Sequence, residues 1–369
     1  MPPTSALLVI GAVAMGTTFV LTPVVIVIAR RMGWVVEPDA RRVHTKTMPD
    51  VGGLAMVIAV VVAMGVARMW DVFDPMFARN SEPTGVVVAA VAMYAVGFID
   101  DLRELSAPAK VAGTIAVGMI LVTMGVTMYY FRLPWLGVFV PGDDWMPLVT
   151  LIWLLLMTQA INLIDGLDGL AAGIVAIAAG AFFLYSLRLS ELKLITPPNV
   201  GPLVAIITVG VCVGFLPWNF NPARIFMGDG GALLLGLLLA VSTSVVGGRA
   251  DPTDQKYFGQ TWFFLAPMLI PILILGVPIF DTLFAILRRA RTRTLATADR
   301  RHLHHRLIEM GHGPRRAVVI LWCWTAMLSG VVLYPAYTGK GSNLIPLAFG
   351  MLALLMFTML HPQIRRNRG

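Results

Sequence analysis

Residues 159–173 read "QAINLIDGLDGLAAG" and lie between two apolar blocks, "MPLVTLIWLLLM" and "IVAIAAGAFFLYSL". Three polar residues, Asn162, Asp165 and Asp168, therefore interrupt sequence that otherwise suits lipid. An ionised carboxylate at the centre of a bilayer costs roughly 2.5–3.5 kcal/mol. Such residues belong at a water interface, or have partners and a task. Asn162 and Asp165 are three apart and share one face of a helix. Gly166 and Gly169 loosen the backbone, so that Asp168 can turn towards the same space. Capping of the next helix is the plain alternative for Asp168, and it leaves Asn162 and Asp165 unexplained.

The surroundings decide the class. Charged residues make up 13% of the chain and hydrophobic ones 57%, and the mean hydropathy is +0.80. Apolar runs near the ~20 residues that cross a bilayer core recur along its length. The chain reads as an all-α polytopic membrane protein with about eleven transmembrane helices, near 5–29, 54–70, 84–99, 109–127, 146–163, 170–187, 201–217, 231–248, 263–286, 316–335 and 344–360. The first run is too long for a signal-peptide core and has no basic segment before it, so it is expected to stay as a span. Cys212 and Cys323 fall inside apolar runs and are expected as buried thiols rather than a disulfide. A net charge of +8 here orients the chain in the membrane rather than serving nucleic acid.

Most of the 28 lysines and arginines fall in alternate loops, near 30–53, 100–110, 218–230 and 287–315, and in the C-terminal tail. Those segments, together with 162–170, are predicted to be cytoplasmic, with the N-terminus outside and the C-terminus inside. None is long enough for a soluble domain, so residues 1–369 read as a single integral-membrane domain. Asp100, Asp101, Asn162, Asp165, Asp168, Asp229 and Asp281 then all fall at the cytoplasmic ends of spans.

Four further constellations share that face. In "GFIDDLRELSAPAK" the pair Asp100 and Asp101 follows an apolar run, with Lys110 one short loop away. Two carboxylates beside a cation suit a divalent metal or a phosphate under attack, one holding charge while the other accepts a proton. In "WNFNPARIFMGDGG" Arg224 is a phosphate-type cation, and Asp229 lies between glycines at the start of a helix, where anions are favoured. Phe226 suits stacking on a flat ring and equally suits a membrane interface. The basic stretch 288–316 holds Arg301, His302, His304 and His305. Zinc and lipid headgroups are alternatives there, but arginine and histidine together best suit diphosphate oxygens. "RRVHTKTMPDVGG" adds His44 and Lys46 ahead of a Gly-Gly turn. Oxygen ligands of this kind, with a diphosphate, ask for Mg²⁺.

Taken in order, "DD" with its downstream "LSxxxK", "NLIDGLDGL", "NPARIFMGDGG", "PIFDT" and "HLHH" resemble the polyprenyl-phosphate N-acetylhexosamine-1-phosphate transferases, and the WecA/TagO-like branch in particular. The resemblance implies a ten- or eleven-span fold with a cytoplasmic active-site cleft. It also implies transfer of a sugar 1-phosphate from a UDP-N-acetylhexosamine to a polyprenyl phosphate, with UMP released and Mg²⁺ (or Mn²⁺ in its place) as cofactor. The bilayer of a bacterial plasma membrane would be its home, and a homodimer stays open. Carried over motif by motif, Asp229 and Asn162 would hold or adjoin the metal. Lys110 would contact phosphate, Asp168 the uracil edge with Asp165 beside it, and Phe226 the uracil ring. Asp100 and Asp101 would serve the attacking lipid phosphate, and Arg301, His302, His304 and His305 would grip the diphosphate or sugar. Direct attack and a covalent phospho-aspartate route are both compatible with these residues. One departure stands out: the family often shows Lys-x-x-x-Gln, whereas here Lys110 is followed by Thr114.

Two rivals remain. The MraY branch, phospho-N-acetylmuramoyl-pentapeptide transferases, typically shows "TPTMGG" and a different histidine motif. A cation-coupled secondary transporter would place its acids near the bilayer midplane and show internal symmetry.

Overall fold

The computed structural model describes residues 1–37, 47–78, 80–128, 131–133, 137–139, 142, 144–195, 197–247, 312–338 and 345–366. Its helices are α1 (Thr4–Met32), α2 (Gly53–Arg68), α3 (Asp74–Phe77), α4 (Glu82–Arg103), α5 (Ala107–Thr123), α6 (Met146–Ile164), α7 (Leu170–Glu191), α8 (Gly201–Asn219), α9 (Gly228–Gly247), α10 (Pro314–Thr338) and α11 (Ile345–Arg366). Two short antiparallel pairs join them, β1 (Val35–Val36) with β2 (Met48–Pro49) and β3 (Phe131–Leu133) with β4 (Gly137–Phe139). Proline opens α4, α5, α6 and α8, where its missing N–H is not needed and its fixed φ suits the first turn.

The expectation of eleven spans is corrected. Among the described residues, seven helices are long and apolar enough to cross a membrane, or eight if α2 and the bent segment Asp71–Phe77 count as one. The reason is length rather than polarity. α5 has 17 residues and the apolar part of α11 is Pro346–Thr358, both short of a full crossing. α2 ends at Arg68 and the chain turns by 90° into the next segment. The predicted span 263–286 lies outside the described residues. The two cysteines are free, as expected, but only Cys212 is buried; Cys323 is exposed on α10.

α9 is the centre. Its sequence, "GDGGALLLGLLLAVSTSVVG", is apolar on every side, the pattern of a helix enclosed by others, and Leu233, Leu234, Leu235, Leu237 and Leu238 are all fully buried. α4, α6, α8 and α2 pack around it, while α1 lies on α8 and α2, α7 on α8, and α10 on α7. Lipid tails are as apolar as leucine, so such helices associate through close packing at small residues. A Cβ at Gly97 of α4 would lie 2.5 Å from the Gly230 nitrogen and 2.6 Å from the Asp229 carbonyl carbon. A Cβ at Gly236 would lie 2.5 Å from the Thr158 Cα of α6. Hydroxyls within the spans are satisfied locally: Thr18, Thr158, Thr208, Ser242 and Ser329 each donate to the carbonyl four residues back. The Trp153 indole donates across helices to Thr243 Oγ1 at 2.8 Å.

Gly97→Ala is therefore expected to lower the thermal midpoint in detergent, because backbone cannot yield and overpacking of this kind costs about 1–3 kcal/mol. Gly65→Ala, where a Cβ would meet nothing within 4 Å, serves as the control. Equal midpoints for the two variants would contradict the close α4–α9 contact.

Candidate active site

α4 carries Asp100 and Asp101 into its last turn and ends at Glu104, in the left-handed conformation. Neighbours on a helix point about 100° apart, and the two carboxylates accordingly have different partners. Asp101 reaches the start of α9. Its Oδ1 accepts the Asp229 N–H at 2.7 Å and its Oδ2 the Gly230 N–H at 3.1 Å. This is a carboxylate on a helix N-terminus, supplied by a different helix. Gly228, at φ 69°, makes the approach possible, since a Cβ there would lie 2.6 Å from Asp101 Oδ2. Asp100 instead accepts the Leu105 N–H at 2.6 Å and pairs with Lys110.

Lys110 stands in the first turn of α5 with its ammonium between Asp100 and Asp229. Four residues on, Thr114 donates to the Lys110 carbonyl at 3.0 Å. The hydroxyl standing where the family often has glutamine is thus used by its own helix.

The 162–170 turn brings the next group. α6 closes at Ile164, and half-buried Asn162 and Asp165 sit at its end. Gly169, at φ 78°, lets the chain reverse into α7. Asp168 does not cap α7. Its Oδ2 accepts the Asn221 side-chain amide at 2.9 Å and the Ala223 N–H at 3.0 Å. Asn219, buried, crosses the same gap: its Oδ1 accepts the Gly169 N–H at 3.0 Å and its amide donates to the Ile225 carbonyl at 3.0 Å. The turns 165–170 and 219–227 are thereby stitched into one wall. Segment 49–53 forms a neighbouring one. The Gly52 and Gly53 N–H groups donate to the Phe226 and Met227 carbonyls at 2.9 Å each, and the Phe226 N–H returns a bond to Pro49 at 2.9 Å.

Of the predicted residues, Asp100, Asp101, Lys110 and Asp229 meet directly. Asp165 and Asp168 lie close enough to interact electrostatically, and Asp165 also feels Asp101 and Asp229. Phe226 is half-buried on the adjoining wall. Arg224 goes elsewhere: it is exposed, with its guanidinium 5.6 Å from the Trp218 ring centre. His44, Lys46, Arg301, His302, His304 and His305 lie outside the described residues. The sequence reading missed Asp50, whose charge acts on both Asp101 and Asp165, and it missed Asn219 and Asn221. Both asparagines stand in "WNFNPARIFMGDGG", where Asn-Pro marks a loop; polar amides flanking a loop at a span end were the available signal.

A divalent cation fits this donor set. Among the described residues no group of three His, Cys, Asp or Glu is arranged to hold a metal. Mg²⁺, however, is commonly held by one or two carboxylates, with substrate phosphates and water completing the shell. Asp100 and Asp229 already converge on a single cationic group, the Lys110 ammonium. Beside them, burial raises the Asp165 carboxyl well above the usual carboxylate range, and Asp50, Asp229, Asp101 and Asp168 raise it further.

Lipid-length helices thus gather carboxylates, an ammonium and a glycine-opened helix start at one end. Residues 83–247 match the family model described as glycosyl transferase family 4. The chain is 35% identical to the decaprenyl-phosphate N-acetylglucosaminephosphotransferase of Mycolicibacterium smegmatis, over 99% of this chain and 90% of the relative. It is 35% identical to a probable undecaprenyl-phosphate N-acetylglucosaminyl 1-phosphate transferase of Bacillus subtilis, over 88% and 84%. Against the phospho-N-acetylmuramoyl-pentapeptide-transferase of Chloroherpeton thalassium identity is 29%, over 80% and 83%. The chain belongs to the polyprenyl-phosphate sugar-1-phosphate transferases.

Asp165 supplies a pH test. Between the ordinary carboxylate value and the raised one, the folded chain keeps a proton that the unfolded chain releases. Stability therefore falls as pH rises through that window. Asp165→Asn is expected to raise the thermal midpoint by roughly 2–4 °C at neutral pH without divalent cation. The gain should vanish below about pH 3, where both states are protonated. An unchanged midpoint at neutral pH would show that Asp165 ionises without penalty.

Proposed function

We propose that the protein transfers N-acetylglucosamine 1-phosphate from UDP-N-acetylglucosamine to a polyprenyl phosphate, with release of UMP. The reaction takes place at the cytoplasmic face of a bacterial plasma membrane, as the first membrane step of a cell-envelope polysaccharide. One observation carries this reading: Asp100 and Asp229 converge on the Lys110 ammonium beside the start of α9, in a chain 35% identical over 99% of its length to a mycobacterial decaprenyl-phosphate N-acetylglucosaminephosphotransferase.

The chemistry suits an interface. The donor is water-soluble and the acceptor is a lipid with a charged head, so both must reach one end of the bundle. An oxygen of the lipid phosphate attacks the phosphorus bonded to the sugar. The bond from that phosphorus to the bridging oxygen breaks, and UMP leaves with the oxygen. Anion meets anion, so positioning and charge neutralisation do most of the work. Lys110 neutralises phosphate charge. Asp100 orients the attacking phosphate and accepts its proton when it arrives as the monoanion. Asp101 keeps Asp229 in place through the start of α9. Mg²⁺, or Mn²⁺ in its place, would be held by Asp229 with Asp100 and Asn162 adjoining, and supplies further charge neutralisation to the diphosphate. Asp168 and Phe226 receive the uracil edge and ring, while Arg301, His302, His304 and His305 contact diphosphate or sugar.

Purified protein with polyprenyl phosphate, Mg²⁺ and UDP-N-acetylglucosamine is expected to release UMP and yield a lipid heavier by one N-acetylhexosamine phosphate. Asp229→Ala is expected to stop turnover while the protein still folds. Turnover with UDP-N-acetylmuramoyl-pentapeptide alone would reassign the donor, and full activity of Asp229→Ala would remove that residue from the centre.

A further inference from the structure

α10 begins directly after the histidine-arginine segment, and its first turn carries Arg315 and Arg316. Cations at a helix N-terminus oppose the helix dipole, so helix stability does not account for them. Arg315 has a specific partner. Its Nε donates to the Asn221 carbonyl at 2.8 Å and to Asn221 Oδ1 at 3.2 Å. The same asparagine's Nδ2 donates to Asp168 Oδ2 at 2.9 Å.

The chain of contacts has a direction imposed by chemistry. A guanidinium can only donate and a carboxylate can only accept. Asn221 converts one into the other, receiving on its oxygen and donating from its nitrogen. Arg315 on Oδ1 and Asp168 on Nδ2 favour the same orientation of the amide; a half-turn would set acceptor against acceptor and donor against donor, and Arg315 fixes the amide in place from the far side. Oδ2 of Asp168 then holds two bonds, from Asn221 and from Ala223. Among the described residues the other oxygen, Oδ1, receives none. The base of α10 is itself anchored to this wall. The Trp322 indole donates to the Leu170 carbonyl at 3.4 Å, and its ring lies 5.5 Å from Phe220.

We propose that Arg315 is a positioning residue for the donor nucleotide. Through the Asn221 amide it holds Asp168 with one carboxylate oxygen presented to the nucleotide base, and it ties the start of α10 to that subsite. The inference rests on the reading above that Asp168 meets the uracil edge. Arg315 acts on donor binding and not on the lipid phosphate or the chemical step.

The test is steady-state kinetics with both substrates varied, together with direct titration of UMP binding by calorimetry on the full-length protein in detergent. Arg315→Ala and Asn221→Ala are each expected to raise KM for UDP-N-acetylglucosamine about fivefold and weaken UMP binding to match. The lipid KM and kcat should stay within about twofold. The double variant should be no worse than either single one, since both break one relay. Asn221→Asp separates relay from scaffold. It keeps an acceptor for Arg315 but loses the donor to Asp168, so it too should raise the donor KM. Wild-type donor KM in Asn221→Asp, or a matching rise in lipid KM in Arg315→Ala, would overturn the proposal. Asp168→Asn separates the two readings. If it weakens UMP binding while Arg315→Ala does not, only the relay fails; if it leaves UMP binding intact, the uracil assignment fails with it.

Discussion

The Asp101 carboxylate on the first N–H groups of α9 is the contact on which the site depends. One helix ends there and another begins, and the bond between them crosses 128 residues of sequence. Because Asp101 takes the Asp229 and Gly230 amides, the Asp229 side chain faces Lys110 and Asp100. Glycine makes this geometry feasible on both sides. Gly97 lets the α9 backbone approach α4, and Gly228 makes room for the carboxylate. Two adjacent acids with one charge and one reach thus have separate tasks, set only by the rotation between neighbouring helix positions.

Around that contact the structure concentrates negative charge where solvent is scarce. Asp50, Asp101, Asp168 and Asp229 all act on Asp165, and Asp50 and Asp229 act on Asp101, while the Lys110 ammonium stands between Asp100 and Asp229. Such crowding is costly in the resting protein and favourable once cationic charge or phosphate-bound metal arrives. Like charge gathered at a site for anionic substrates is one form of the general tension between function and stability.

Much of the site was legible because polar residues at span ends are conspicuous against 57% hydrophobic sequence. Asp100, Asp101, Lys110 and Asp229 stood out in this way and do meet. Arg224 stood out equally and instead lies over Trp218, since charge says nothing about which neighbour an exposed side chain finds. Asn219, Asn221 and Arg315 do not stand out from their stretches of sequence, because their importance lies in pairing across the fold. Apolar length overstated the spans. It counts residues that tolerate lipid, whereas a crossing needs an unbroken helix, and α2 bends while α5 and α11 stop short.

The sequence by itself determined the solvent, the helical class, the family and the end of the spans where chemistry gathers. These follow from hydropathy and from the order of local motifs. Only the tertiary structure decided that Asp101 organises a helix start while Asp100 faces the cation, that Asp168 belongs to the 219–227 wall, and that α10 reaches it through Arg315. Apart from the local Asp100–Lys110 ion pair, each of those facts is a hydrogen bond between segments 50 to 130 residues apart. Such bonds depend on how helices rotate and close against one another, which no local pattern of residues encodes.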